Sequence, residues 1–258
     1  LTAHATHGVP RAGKHASWPI VERDHAASIA YLDVRVGDVL DTLTARGLDR
    51  STAIFFASDN GAHNEGGHDV AFFASTGSLR GFKRSYYEGG VRSPSIVRWP
   101  GVTAAGSTSR TPWAFFDVLP TLLEMANVPP PANATFDGRS IVPALRGQPQ
   151  PPPEYLYWTW RGAVAIDASP PSDGSEISAR SLHTPPGYAA RVGDWKAVCH
   201  KCANLTSNAP SMSDVLEIYD LSSDPEETSN VASQHAAKAE EIKALLVGKG
   251  LSCECYQC

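Results

Sequence analysis

Residues 52–57 (TAIFFA) are followed directly by residues 58–61 (SDNG), and this junction decides the fold. An apolar run without a polar face is typical of a β-strand that is buried on both sides. The polar residues after it mark the carboxyl end of the strand, where open α/β sheets bind their ligands. The sequence therefore predicts an α/β fold with a candidate site just beyond this strand.

A helix is predicted before the strand, over residues 24–46, because apolar residues recur there at steps of three and four. Asp24 is the candidate N-cap, and Gly47 is the candidate stop at the C-terminal end. A helix, a short turn and an apolar strand in succession favour a parallel α/β sheet. The apolar positions of this helix are Ile29, Leu32, Val36, Val39, Leu40 and Leu43.

Residues 95–99 (SIVRW) predict a second strand, and residues 114–126 predict a second helix whose start is shifted towards Pro120. A doubly wound sheet has about five or six strands. This part of the chain offers only two or three candidates, so we expect a large preceding portion of the sheet to lie outside these residues.

A change in composition comes at residues 143–153, which contain five prolines and predict a linker. We therefore divide the chain into residues 1–148, part of a mixed and mostly parallel sheet with flanking helices, and residues 149–258, a small antiparallel-sheet subdomain. The second part is predicted to contain strands at 155–158, 188–192, 195–198 and 217–219, a hairpin at Gly193-Asp194, and a closing helix at 236–247.

Composition excludes two classes of protein. The chain has 258 residues, a formal net charge of −5 and 19% charged residues, with no basic block, which argues against nucleic acid as a partner. The longest uninterrupted apolar run, at residues 53–57, is far too short to span a membrane.

The five cysteines all lie in the last part of the chain: Cys199 and Cys202 form a C-x-x-C pair, and three more lie at 253–258. They can form disulfides with one thiol left over, or they can bind zinc. Two potential glycosylation triplets, at 133–135 and 204–206, favour disulfides. An extracytoplasmic location follows, whether secreted, lysosomal or periplasmic.

Asp59 and Asn60 offer hard oxygen atoms at the end of the first strand, which suit Ca²⁺ or Mg²⁺. Gly61 permits the sharp turn that would bring both side chains to one place. On these residues alone, a simple Asx turn that closes the strand is the competing interpretation.

A glycine-rich loop with several cations follows, over residues 77–92. Cations near a divalent metal ion suit a tetrahedral anionic ester, either a sulfate or a phosphate, whereas the alternative is a solvated basic loop. His63 and His68, just before it, could equally be surface residues. The cations are Arg80, Lys83, Arg84 and Arg92.

Several motifs, taken together and in order, resemble the second half of a sulfatase of the arylsulfatase-like group in the alkaline phosphatase superfamily. The resemblance covers nearly the whole chain apart from the Ser/Pro-rich stretch at 166–187 and the cysteine tail. The motifs are SDNG (58–61), GSLRGFKRSYYEGGVRSPSIVRWPG (77–101), FFDVLPTLLEMANV (115–128), FDGRSIVPALRG (136–147), GYAARVGDWKAV (187–198) and LEIYDLSSDPEETSNVA (216–232).

The resemblance implies roles for four residues. Asp59 and Asn60 match the family's ligands for a divalent cation, usually calcium, with magnesium as the alternative. Lys83 matches the lysine that contacts the sulfate group of the substrate. His7, in the segment THGVP, matches a histidine near the sulfate and the leaving-group oxygen.

The family nucleophile is a formylglycine made from the first residue of a Cys- or Ser-x-Pro-x-Arg motif, and these 258 residues contain no such motif. The resemblance thus implies that the nucleophile lies in an N-terminal half of the same enzyme. The expected reaction of the whole enzyme is hydrolysis of a sulfate ester of a small molecule or a glycan. By itself, this chain is expected to be inactive.

Three alternatives remain at this point. A phosphodiesterase or phosphonate hydrolase of the same superfamily shares the combination of metal ion and cations. A secreted glycan-binding module without catalysis would explain the missing nucleophile. Finally, the cysteines could form a structural metal knot in an interaction domain.

Overall fold

The computed structural model describes residues 17–160, 187–199 and 216–249. None of the helices in these segments is both long and apolar enough to cross a lipid bilayer. In chain order the elements are α1 (Ile20–Ala45), β1 (Ile54–Ala57), α2 (Glu88–Val91), β2 (Ser95–Arg98), α3 (Val118–Met125), α4 (Val142–Leu145), β3 (Leu156–Trp160), β4 (Gly187–Val192), β5 (Trp195–Cys199), β6 (Leu216–Asp220) and α5 (Ala236–Gly248).

The first helix begins earlier than predicted, at Ile20, so the assignment of Asp24 as its N-cap was wrong. Pro19 precedes the helix; its fixed φ and its missing N–H suit the start of a helix. The predicted stop is confirmed: Gly47 has φ 67°, and its N–H donates to the Thr44 carbonyl at 3.0 Å. Glycine tolerates this left-handed conformation without steric cost.

Strands β1 and β2 pair in antiparallel register, with Phe56 opposite Ile96. The mixed α/β fold class is confirmed, but this pairing differs from the parallel arrangement that the sequence favoured. The expectation that β1 is buried on both sides was wrong for the described residues, since Phe56 is 37% exposed and Ile96 46% exposed. An apolar cross-strand pair therefore lies on an open face of the sheet.

The predicted apolar faces of α1 and α3 are also open. Both helices form, as the periodicity predicted, but their large apolar side chains stay exposed because no described element packs over them. Side chains between 44% and 57% exposed include Ile29, Leu32, Val39, Leu119 and Leu122.

The sequence prediction of the C-terminal strands is confirmed. They form one antiparallel sheet in the order β3-β4-β5-β6. Val192 and Trp195 pair across the predicted hairpin, where Gly193 has φ 60°. Helix α5 covers one face of this sheet through Ile242 and Leu246, which pack on a core that includes Ala190, Ala197 and Ile218.

The opposite face of the C-terminal sheet is covered by a segment from early in the chain. Tyr86 and Tyr87 pack on Ala189, Val198 and Tyr219. The Tyr86 hydroxyl is buried and donates to a backbone carbonyl of β4 at 2.6 Å. The loop at residues 80–92 is thus part of the core of this sheet.

The proline-rich region that was predicted as a linker begins with the one-turn helix α4. The residues before it are fixed to the start of α3, because buried Asp117 accepts the N–H groups of Ala114 and Arg139 at 2.9 and 2.8 Å. Gly138 approaches the Phe116 carbonyl so closely that a Cβ there would lie 2.0 Å from its oxygen.

We expect Ile242→Ala to lower the free energy of unfolding by about 2–5 kcal/mol, because it opens a cavity between α5 and the sheet. Ile29→Ala is the matched control, since Ile29 is 55% exposed whereas Ile242 is 1% exposed. Urea unfolding of the 258-residue chain measures both. Equal effects of the two substitutions would contradict this account of the core.

Candidate functional site

The candidate metal ligands lie in the turn that closes β1. Asp59 is exposed and Asn60 is half-buried. The Ser58 hydroxyl donates to the Asn60 carbonyl at 2.9 Å, and the Asn60 side-chain amide donates to the Gly61 carbonyl at 3.0 Å. Because its NH₂ group is engaged, Asn60 keeps its side-chain oxygen available for a ligand.

The turn is locked against α2 by a contact between glycines. The N–H of buried Gly61 donates to the Gly90 carbonyl at 2.9 Å. A Cβ at Gly61 would lie 1.8 Å from the Gly89 oxygen, a distance that no side chain tolerates. The glycine of the SDNG motif therefore serves close backbone approach as well as the turn that the sequence suggested.

Lys83 is held beside the same turn through its backbone, because its N–H donates to the Ala62 carbonyl at 2.7 Å. Its ammonium group, however, binds a carboxylate oxygen of Glu65 at 3.1 Å. The Arg84 guanidinium binds the other oxygen of Glu65. The structure thus brings the Lys83 backbone next to the turn that contains Asp59, while the side chain of Lys83 is directed to Glu65.

Glu65 is a residue that the sequence analysis did not single out. The hydrogen bond from Lys83 holds the pKa of the Glu65 carboxyl below its usual range. The N–H of Glu65 also donates to Nδ1 of His63 at 3.0 Å. Two cations that share one carboxylate form a site for an anion, and the oxygens of an anionic ester could take the place of this carboxylate. Glu65 lies before the cation-rich loop at 77–92, so its pairing with Lys83 and Arg84 was not visible in the sequence.

His68 is buried, which excludes the alternative that it is a surface residue. Its Nδ1 lies 2.5 Å from Oε2 of Glu22 on α1, and Oε1 of Glu22 accepts the Asp69 N–H at 2.8 Å. The ring of His25 stacks on His68 with centroids 3.7 Å apart. This arrangement anchors the loop before Lys83 to helix α1. The partner Glu22 lies outside every motif of the sequence, which is why it was missed.

Glu22 has a shifted pKa. Burial opposes its ionisation, but the hydrogen bonds from the Asp69 N–H and His68 prevail and hold the pKa of the Glu22 carboxyl below its usual range.

The donor set of the turn fits a hard cation. Asp59 and Asn60 offer about three side-chain oxygens, whereas calcium takes about six to eight. Within the segments that the structure describes, no group of three or more His, Cys, Asp or Glu residues is arranged to hold a metal ion. The two residues can therefore form one part of a metal site. His7 lies outside the described residues.

Comparison with known proteins decides the family. Residues 20–128 match the family model described as Sulfatase. Steryl-sulfatase of Rattus norvegicus is 31% identical over 207 residues, which cover 78% of this chain and 35% of that protein. Arylsulfatase A of Homo sapiens is 30% identical over 231 residues, which cover 83% of this chain and 40% of that protein.

The chain belongs to the sulfatase family. It spans between a third and two fifths of the length of these two relatives. A solved structure of a protein in complex with its substrate D-glucosamine-2-N,6-O-disulfate has the same fold, with a TM-score of 0.63 and 25% identity over 91% of this chain and 41% of that one. The region that matches the sulfatase model contains Asp59, Asn60 and Lys83.

In this sulfatase chain, we expect Gly61→Ala to lower the free energy of unfolding by about 1–3 kcal/mol, because the added methyl group collides with the backbone of α2. Gly37→Ala is the control: it adds the same methyl group to helix α1, where nothing lies within 4 Å. Alanine there should raise stability by up to about 1 kcal/mol. Chemical denaturation measures both, and a neutral Gly61→Ala would disprove the tight contact.

The buried contacts of Glu22 with His68 and with the Asp69 N–H predict that the stability of the fold depends on pH. A carboxyl whose pKa is lowered on folding stabilises the protein above its unfolded pKa, and this stabilisation is lost as the pH falls through the folded pKa. We therefore expect wild type to be more stable than Glu22→Gln by a constant amount at pH values above 4.5, the ordinary pKa of a glutamate carboxyl. Below that pH this difference in unfolding free energy should shrink.

Urea unfolding between about pH 3 and 7 measures this difference. Glu240→Gln, at an exposed position on α5, should show no such trend. A pH-independent difference for Glu22→Gln would rule out the proposed anchor.

Proposed function

We propose that this chain is part of a metal-dependent sulfuric ester hydrolase. The observation that carries the proposal is the backbone link between the Asp59–Gly61 turn and Lys83, in a chain of the sulfatase family. The N–H of Gly61 donates a hydrogen bond to a carbonyl of α2, and the N–H of Lys83 donates one to the carbonyl of Ala62, the residue that follows the turn. A cation at the turn and the ammonium of Lys83 could then act on the same sulfate group.

Asp59 and Asn60 are the proposed ligands of the cation, with Ca²⁺ favoured over Mg²⁺ because an exposed carboxylate and an amide oxygen suit its flexible geometry. When bound, the cation would stabilise negative charge on the sulfate oxygens. These two side chains do not complete a coordination sphere, and the N-terminal half of the enzyme is the proposed source of the further ligands.

Lys83 is the proposed contact to the sulfate group. Its side chain is 28% exposed, and its ammonium already binds an anion, the carboxylate of Glu65. A sulfate ester would compete with Glu65 for Lys83 and Arg84. His7 is proposed to assist departure of the alcohol, since a histidine can hold or release a proton near neutral pH.

The proposed partner is the N-terminal half of the same enzyme, which would supply the formylglycine nucleophile and the remaining metal ligands. Two observations support it. The relatives are longer than this chain, which covers 35% and 40% of the two described above. The apolar faces of α1, α3 and the β1–β2 sheet are exposed, as expected for surfaces that pack against further structure.

The proposed substrate is a sulfated small molecule or sulfated glycan. The relatives' names include a steryl-sulfatase and an arylsulfatase, and the structural neighbour binds a disulfated glucosamine. An extracytoplasmic location is proposed from the two glycosylation triplets and from the cysteines, which that location would allow to form disulfides. Cys199 is buried on β5, and the other four cysteines lie outside the described residues. The division at residues 148 and 149 stays a prediction.

The test is hydrolysis of an aryl sulfate by the protein that contains this chain within a complete sulfatase domain. We expect Asp59→Ala and Lys83→Ala each to lower kcat/KM by at least about 100-fold. The first weakens binding of the cation and the second removes the ammonium group, and both positive charges would stabilise the negative charge of the transition state. Chelation of divalent cations should have the same effect. The 258-residue chain alone should show no turnover.

The matched controls are Asp33→Ala on α1 and Lys243→Ala on α5, whose ammonium is exposed to a similar degree and forms an ion pair with Glu240. Both should leave activity unchanged. An aryl phosphonate monoester assayed in parallel distinguishes the related chemistry. Preference for the phosphonate, or full activity of Asp59→Ala and Lys83→Ala, would refute the proposal.

A further inference from the structure

A buried ammonium group joins the C-terminal sheet to the loop that contains Lys83. Lys196 on β5 is fully buried, and its Nζ lies 2.9 Å from Oε1 of Glu88 and 2.9 Å from Oε1 of Glu227. Both contacts are ion pairs, and the contact with Glu88 is also a hydrogen bond. Both carboxylates are buried as well.

Glu88 is held a second time, through its backbone. Its N–H donates to Oε2 of Glu227 at 2.6 Å. The side chain and the main chain of the first residue of α2 are therefore both fixed by groups from the C-terminal part of the chain. Neither contact is exposed to solvent, so competition from water is weak.

The other end of the same loop is fixed by Arg80. Its Nη1 donates to the Tyr219 hydroxyl at 2.8 Å and to the Glu227 carbonyl at 3.1 Å. The guanidinium lies 3.7 Å from the centre of the Tyr87 ring. The backbone carbonyl of Arg80 accepts the Gly89 N–H at 2.7 Å, which closes the loop on itself.

The candidate site is attached directly to this fixed loop. Glu88 precedes Gly89 and Gly90, the two residues against which Gly61 packs without space for a Cβ. Lys83 lies between the two anchors at Arg80 and Glu88. A displacement of Glu88 would therefore move the carbonyl that binds Gly61, and with it the turn that contains Asp59.

Stability alone does not account for this arrangement. Glu227 has φ 57°, a left-handed conformation that costs a non-glycine residue about 1–3 kcal/mol. Burial raises the pKa of Glu227, which shows that its charged form is disfavoured there. Buried ion pairs can often be replaced by apolar groups without loss of stability, so a fixed geometry is the better reason for their presence.

We infer that Lys196 is a positioning residue for the candidate sulfate site, holding α2 so that the Asp59–Gly61 turn and Lys83 keep their relative places. The inference rests on the proposed function for its catalytic consequence. Its structural content, the coupling of β5 to the turn, stands on the contacts alone.

The first test is hydrogen exchange by mass spectrometry on the 258-residue chain. Lys196→Met removes the ammonium but leaves two carboxylates facing each other, so the decisive variant combines it with Glu88→Gln and Glu227→Gln. In this charge-free variant we expect amides of residues 58–62 and 80–92 to exchange at least about tenfold faster, with the amides of β3 and β4 unchanged.

The control is Lys238→Met, which removes an ammonium that pairs with Glu241 on the surface of α5. It should leave exchange of the turn and the loop as in wild type. Unchanged exchange at residues 58–62 in the charge-free variant would overturn the inference. Equal acceleration in β3 and β4 would also overturn it, because that result describes general unfolding.

The second test is kinetic, in the complete sulfatase domain. In the charge-free variant, the groups that act in the transition state should be misplaced. We therefore expect its kcat to fall by about 100-fold while its KM changes little. Wild-type kcat in the charge-free variant would overturn the positioning role. If wild type hydrolyses no sulfate ester but the exchange result holds, the proposed function fails and the coupling between β5 and the turn remains.

Discussion

The close backbone contact between Gly61 and the Gly89-Gly90 pair is the constraint on which the rest of the site depends. It leaves no room for a Cβ on Gly61, nor on Gly89, whose own Cβ would lie 2.2 Å from the Gly81 carbonyl oxygen. Three stretches of chain thus meet at van der Waals distance through their backbones. Glycine is required for close approach at all four positions, Gly61, Gly81, Gly89 and Gly90. Only Gly81 also has a left-handed φ, which favours glycine for a second reason.

Around this contact, charged and polar groups fix the position of the loop at 80–92, where apolar packing is sparse. The loop at 80–92 is short of large aliphatic side chains, and within the described residues its apolar contact with the C-terminal sheet comes from Tyr86 and Tyr87. The hydroxyl of Tyr87 donates to Glu217 at 2.7 Å, and burial raises its pKa. Hydrogen bonds have directional geometry whereas apolar contacts do not. The Gly90 carbonyl accepts the N–H of Gly61, so the loop that contains it needs a fixed position. Directional hydrogen bonds give the loop that position.

Local patterns predicted the elements well, and for a physical reason. Helix α5 and the four C-terminal strands follow from apolar periodicity and from the Gly193 turn, which are properties of neighbouring residues. The N-terminal boundary of α1 was wrong because Asp24 is a good cap in isolation, whereas Pro19 starts the helix earlier. Burial of β1 was wrong because burial depends on what packs over a strand, and local sequence does not contain that information.

The candidate site was predictable only in part. Asp59 and Asn60 stand at the end of an apolar strand, so strand termination pointed to them, and the family resemblance added Lys83. The partners Glu22, Glu65 and Lys196 carry no comparable signal. Each acts through a contact with a residue far along the chain or in another loop, such as the 108-residue separation between Lys196 and Glu88. Only the folded chain shows such pairs.

The apolar faces of the C-terminal sheet are covered, whereas those of the preceding helices and strands are exposed. This difference bears on how the site works. The C-terminal sheet has a cover on each face, α5 on one and the loop at 80–92 on the other. The helices and strands before it leave apolar faces open. The loop belongs to the closed core of the sheet while its glycines hold the Asp59 turn of the open part. The backbones of Lys83 and of the Asp59 turn, which carry the proposed contacts to the sulfate and the metal ion, are thus fixed by the part of the chain that buries its own core. Under the proposed function, a nucleophile from a further segment would meet a turn and a loop whose backbones already have fixed places, and such preorganisation is what electrostatic catalysis requires.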